Sequence, residues 1–348
     1  MKLHLILLAL LVLASCSTDV DLYADYKDTP VVYGLINSKD DTNFVKITRA
    51  FCSDNDHPIN AYDYAPVFDS NNYPGKLVAY FDELRGAPGQ AFQPTGRRFY
   101  LDTLTIHNKK EGIFFAPHQR LYYTTERFNT NNASWHYRYR LCVVKPDYDT
   151  VHAETGIVGG DIMVGSTVSF QANPSHALST LLFSSTDEAV LYQIVMQFHY
   201  LEQHTGQPME RKEVTWSYGV RPLDTYEKVL GTDNFYRLYY SVNSLFNELQ
   251  RAIGNDTVWD PNHPNVTRYI DDFFIYIAAA GEDFNNWYQT LQGMQNGLSL
   301  SSGYSNVNGG YGFLSSRIFV KNQAKLSSTT KLDLFKQPWG FVERKTDN

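Results

Sequence analysis

Apolar and polar residues alternate with a period of two along most of this chain. Residues 43–51 (NFVKITRAF) set Phe44, Lys46 and Thr48 against Val45, Ile47 and Arg49. With the apolar run at 30–37 and the turn-forming SKDD between them, they predict a β-hairpin with one buried face. Further strands are expected at 76–81, 97–105, 112–116, 121–128, 135–144 and 150–157. In 135–144, Tyr137, Tyr139, Leu141 and Val143 share a face, and in a sandwich this segment and 150–157 would be the closing pair.

Four glycines in 156–165 (GIVGGDIMVG) mark the best domain boundary. Beyond it, strands are expected at 166–172, 178–184, 189–202 and 210–218. The long run AVLYQIVMQFHYLE, with Val190, Tyr192, Ile194, Met196 and Phe198 on one face, reads as a central strand. At 234–253 the period changes: Phe235, Leu238, Tyr239, Val242, Leu245, Phe246, Leu249 and Ile253 fall at helical spacing and predict an amphipathic helix. A strand at 267–280, a shorter helix at 282–294 and a last strand at 310–320 follow. The expected fold is mainly β, with two β-sandwich domains of immunoglobulin-like or Greek-key type. These cover 29–158 and 159–320, the second with one or two inserted α-helices. Residues 321–348 read as a polar tail whose Phe335, Trp339 and Phe341 could pack back onto a domain.

The N-terminus breaks this pattern. Lys2 precedes an apolar run from Leu5 to Ala14, the form of a secretory signal peptide and too short to stay across a membrane. It ends in Leu13-Ala14-Ser15-Cys16, an order that resembles the bacterial lipobox, in which the cysteine thiol is acylated and becomes the first mature residue. Residues 1–15 are therefore expected to be removed, leaving Cys16 as the lipid-attachment site and 16–28 as a polar, acidic tether. Each buried acyl CH₂ contributes about 0.8 kcal/mol, so a multiply acylated cysteine anchors stably. The expected location is the outer membrane, with the periplasmic and cell-surface faces both open.

Charge and composition narrow the partners. A formal net charge of -7 argues against nucleic acid, whose binding proteins carry basic patches. Tyr 25, Phe 21 and Trp 5 in a chain with 19% charged residues favour strands and half-buried pleats. Tyr62, Tyr64 and Tyr73, in the loop at 53–75, are candidate rings for stacking on a glycan. Cys52 and Cys142 lie in strand-like runs and form a candidate disulfide outside the cytoplasm.

Spacing, more than composition, limits the chemistry these residues can do. His199, Glu202 and His204 lack the i, i+4 histidine pair of a zinc helix. No GxSxG elbow is present. Asp271 and Asp272, as neighbours on a strand, should point apart. Residues 69–75 start like a calcium loop but lack its sixth-position glycine and twelfth-position glutamate. No metal, cofactor or catalytic residue is expected, and a hydrolase with an unrecognised site, built around His152, His199 or His204, is the least favoured alternative.

Four segments, VVYGLINSKDDTNFVKITRAF (31–51), YRYRLCVVKPDYDTVHAETGIV (137–158), DDFFIYIAAAGEDFNNWY (271–288) and YSNVNGGYGFLSSR (304–317), together with the lipobox, resemble the uncharacterised Bacteroidota envelope lipoproteins of the domain of unknown function 4249 family. The resemblance implies a β-sandwich fold, outer-membrane attachment and the company of a TonB-dependent transporter. It implies no activity. The resulting expectation is a non-enzymatic binding or scaffold lipoprotein, with a surface glycan-binding lipoprotein as the alternative.

Overall fold

A computed structural model describes residues 28–50, 72–107, 118–174, 176–254, 265–296 and 303–344. It is mainly β, 52% strand and 13% helix, as the alternating pattern predicts. The first half holds β1 (Pro30–Ile36), β2 (Asn43–Arg49), β3 (Val78–Gly86), β4 (Gln93–Tyr100), β5 (Asp102–Ile106), β6 (Gln119–Thr124), β7 (His136–Val144) and β8 (Thr150–Gly156). There follow β9 (Thr167–Val168), β10 (Leu178–Ser184), β11 (Leu191–His204), β12 (Glu210–Pro222), β13 (Glu227–Lys228), β14 (Phe235–Ser241) and helix α1 (Ser244–Ile253). The chain ends with β15 (Val266–Ala280), α2 (Glu282–Gln295), β16 (Val307–Asn308), β17 (Tyr311–Leu326), α3 (Ser328–Lys336) and β18 (Phe341–Val342).

Two hydrophobic cores organise these elements. In the first, the sheet β16-β8-β7-β3-β4 shares Phe81, Phe99, Tyr139 and Leu141 with Val32, Ile47 and Tyr122 of β1, β2 and β6. In the second, the sheet β10-β14-β13 and α1 share Phe183, Leu238, Leu245 and Leu249 with Ile194, Phe198, Ile275 and Ile277 of β11 and β15. Ile157 belongs to the first core and Val158 to the second, where the glycine-rich boundary begins.

One strand belongs to both. β17 runs parallel to β1 from Tyr311 to Ser316, then antiparallel to β15 from Arg317 to Ala324, and ends beside β9. A single ten-stranded sheet therefore crosses the boundary, in the order β12-β11-β15-β17-β1-β2-β6-β5, with β18 added beside β15 and β9 beside β17. The expected division at 159–320 is corrected accordingly: Val307 and Leu314 lie in the first core, while Ile318 lies in the second. Gly312 lets β17 lie close against β1. Its φ is +99°, and a Cβ there would collide with the Val32 carbonyl of the parallel neighbour.

Two other expectations change. The stretch 234–253 divides, because Phe235–Ser241 pairs with β10 and buries Leu238 and Tyr240 at a period of two. Only Ser244–Ile253 is helical, burying Leu245, Phe246, Leu249 and Ile253. An aromatic-rich segment satisfies both periods over so short a run, and its strand partner decides. Nor is 321–348 a polar tail. β17 continues to Leu326, Ser327 caps α3 through Thr330 N–H, and Trp339 and Phe341 are buried in the second core. Arg268, fully buried, donates to Glu202 at 2.7 Å and to the Trp339 carbonyl at 2.7 Å, which holds this segment in place.

Candidate functional site

The site is built where the two cores meet, on the outer face of β17. Gly281 opens α2 with no side chain to cap it, so β17 supplies the cap. Ser315 Oγ accepts from Phe284 N–H at 3.1 Å, and the Ser316 carbonyl accepts from Gly281 N–H at 2.9 Å. Glu282 and Asp283 in the first turn suit the positive end of the helix. The helix carries Phe284, Trp287, Tyr288, Leu291 and Met294 at i, i+3, i+4, i+7 and i+10, an apolar stripe facing the sheet. Yet α2 contains no fully buried residue. It lies as a half-covered aromatic shelf across the junction, with Trp287 against Phe313 at a ring distance of 5.0 Å and Phe284 against Phe313 at 6.0 Å.

Clefts flank this shelf. One, of about 200 Å³, is lined by Tyr33, Tyr304, Tyr311 and, from α2, Trp287, Leu291 and Met294. Tyr304 closes its rim by donating to Asp283 at 2.7 Å; burial first, and then that carboxylate, push the phenol up to about 12. The second, of about 150 Å³, has its origin in the alanine run 278–280. Registers place Gln193, Ala278 and Phe319 in one cross-strand row and Leu191, Ala280 and Arg317 in the next row on the same face. Small residues in the middle strand leave a depression between larger neighbours, roofed by Phe284 and Tyr288. Arg317 is the charged side chain on its wall. Its guanidinium carbon sits 4.6 Å from the Phe319 ring centroid, and its Nε is buried without a hydrogen-bond partner. Desolvation holds the Arg317 pKa below the usual guanidinium range, with the charge of Asp40 acting in the opposite direction.

The residues singled out from sequence are placed elsewhere. Cys16, Cys52, Tyr62 and Tyr64 lie outside the described residues. Tyr73 is 3% exposed in the first core, its hydroxyl donating to Asp28, so it presents no ring to a glycan. Cys142 is a free, buried thiol whose pKa is raised by desolvation. His199 Nε2 lies 3.2 Å from Glu213, while Glu202 is shared between His204 and Arg268. His152, near Asn308 on β16, meets neither. Among the described residues no group of three or more His, Cys, Asp or Glu is placed to hold a metal ion. Asp271 and Asp272 do not diverge as expected: an irregularity between Phe198 and Tyr200 in the β11–β15 register adds a residue to β15 there. Both carboxylates then reach Arg211, at 2.7 and 2.9 Å.

The shelf residues were not singled out by any catalytic or ligand pattern. Three of the four segments quoted above nevertheless converge on it, supplying Tyr33, then Ala278 to Tyr288, then Tyr304 to Arg317. No protein-family model matches the chain, and no curated protein matches it. Among the described residues no helix is long and apolar enough to cross a membrane.

Proposed function

We propose that this chain is a non-enzymatic lipoprotein, anchored at the outer membrane through acylated Cys16, that engages a protein partner through the shelf of α2. The observation carrying the reading is the incomplete burial of Phe284, Trp287, Tyr288, Leu291 and Met294 on one helix. Aromatic residues and methionine are the side chains enriched in the desolvated centres of protein interfaces. Tyr33 and Tyr311, both exposed, extend the apolar surface beyond the helix. The resemblance to envelope lipoproteins makes a TonB-dependent transporter the partner class to seek. A surface glycan is the second reading, supported by Tyr33, Trp287, Tyr304 and Tyr311 lining one cleft, since tyrosine and tryptophan rings stack on sugars.

The test is capture of the full-length lipidated protein from envelope membranes, with Trp287→Ala and Met294→Asp as variants. A transporter that co-isolates with the wild type and is lost from both variants supports the reading. If no envelope protein is retained, and soluble oligosaccharides quench tryptophan fluorescence in the wild type only, the glycan reading replaces it. Mass spectrometry of the same material should show acylated Cys16 as the first residue; an unmodified terminus at Ser17 or beyond would remove the anchor from the proposal.

A further inference from the structure

We propose that the cavity floored by Ala278 and Ala280 is a recognition pocket for a carboxylate carried on a short apolar body, with Arg317 as its anion-binding group. Three independent features meet there. The first is the unpaired cation: among the described residues no hydrogen bond or ion pair engages the Arg317 side chain, its Nε is buried without a partner, and its packing partner is the ring of Phe319. A buried donor left unmade costs free energy, and in native proteins such groups are rare enough to require a reason. The second is the shape. Ala278 and Ala280 are the small residues of two cross-strand rows whose other members are Gln193 with Phe319 and Leu191 with Arg317. The hollow this leaves, about 150 Å³, is of the size that takes up a benzene ring.

The third feature is the chemistry of the wall. Leu191, Val220, Ala279, Phe284 and Phe319 are apolar, Gln193 and Tyr288 add polar atoms, and no carboxylate lines it. One guanidinium against such a wall matches a monoanion. A phosphate, carrying more charge, would call for more donors than this wall provides. Asp40 is the acidic group whose charge Arg317 feels, and it forms no ion pair with it. A carboxylate would accept from the planar fork of Arg317 while its apolar body fills the hollow over the alanines. Two sources share this chemistry, a free small carboxylic acid and the C-terminal carboxylate of a peptide ending in an aromatic or aliphatic residue. The inference stands on the cavity alone and does not require the partner proposed for the shelf.

The experiment titrates the intact mature protein with benzoate, 3-phenylpropionate, and a short peptide ending in phenylalanine as either the free acid or the amide. The readout is the Nε–H resonance of Arg317 together with calorimetry. The expected result is saturable binding of at least one carboxylate that shifts this resonance, with no binding of the amide. Arg317→Gln should weaken it roughly ten- to a hundredfold. Ala278→Leu, which leaves the cation and fills the hollow, should abolish it. Tighter binding of the free-acid peptide than of benzoate identifies a chain terminus as the source, and the reverse identifies a small acid. The proposal is overturned if no carboxylate binds, if the amide binds as well as the acid, or if both variants bind like the wild type. Trp287→Ala should leave carboxylate binding intact, so loss of the shelf's partner and loss of this pocket are separable.

Discussion

Two arginines sit at opposite ends of the second core's sheet. Arg268, at the start of β15, is fully buried and saturated: Glu202 takes its Nε–H, the Trp339 carbonyl takes another proton, and Glu202 in turn meets His204. Arg317 stands on β17 opposite Ala280, at the far end of β15, half-buried and facing an apolar hollow. The first is closed by the fold, since its partners come from β11 and from the segment leading into β18. The second is left open by it. A buried cation whose partners are all in the chain serves the fold, whereas one without them leaves chemistry available to something else.

The sharpest way to break this comparison is to remove one partner at the closed end. Arg268→Leu should cost about 3–5 kcal/mol in urea unfolding, because Glu202 would remain as an uncompensated buried charge and the Trp339 carbonyl would lose its donor. The double variant Arg268→Leu with Glu202→Leu should recover much of that loss. If the single variant unfolds at the wild-type midpoint, Arg268 is not a structural tie.

Tyr304 provides an intermediate case on the shelf itself, a half-buried group with one partner. Burial and Asp283 raise its phenol from about 10 to about 12, so folding favours the protonated form. The stabilisation is fully present below pH about 10 and is lost as pH rises through about 12. Wild type should exceed Tyr304→Phe in stability at neutral pH, and the gap should close and then reverse across that window as a phenolate forms beside Asp283. The group is partly solvated, so the effect should fall well short of that at Arg268. A gap that stays constant from pH 9 to 12 would show that the hydrogen bond to Asp283 is not formed in solution.

The contrast also explains what was legible in the sequence. The strand at 178–184 and the helix at 282–294 can be read directly, because one period and clear punctuation dominate each. The glycines of 156–165 interrupt the alternation where the chain passes from the first core to the second. What stays hidden is set by long-range pairing. Nothing local in YGFLSSRIFVKNQAKL says that its first six residues pair with β1 and the next eight with β15. Residues 235–241 satisfy a helical period and become a strand because β10 is there to pair with them. The pocket is hidden more deeply. An alanine run reads as helix former or filler until the register shows larger side chains on either side of it, and an arginine between Ser316 and Ile318 reads as an ordinary exposed strand residue. Its lack of a partner is a property of the assembled junction.

The smallest expected effect is also the most pointed. Arg317→Met should leave stability unchanged within about 0.5 kcal/mol, or raise it, although it removes a half-buried charge from the middle of the longest strand. The terms that decide this are opposed. Losing the cation–π contact with Phe319 costs about 0.5–1 kcal/mol at a partly exposed site. Removing a desolvated guanidinium whose Nε–H has no partner returns a penalty of about 1–3 kcal/mol, and the methionine keeps the apolar stem that packs on the sheet. At Arg268 the same substitution would have to break two charge-assisted contacts, so the two variants should differ by several kcal/mol despite identical chemistry. Urea midpoints of the pair measure this directly. A loss above about 1 kcal/mol for Arg317→Met would mean that the junction depends on the charge for its own stability, and the open arginine would then be a second structural tie.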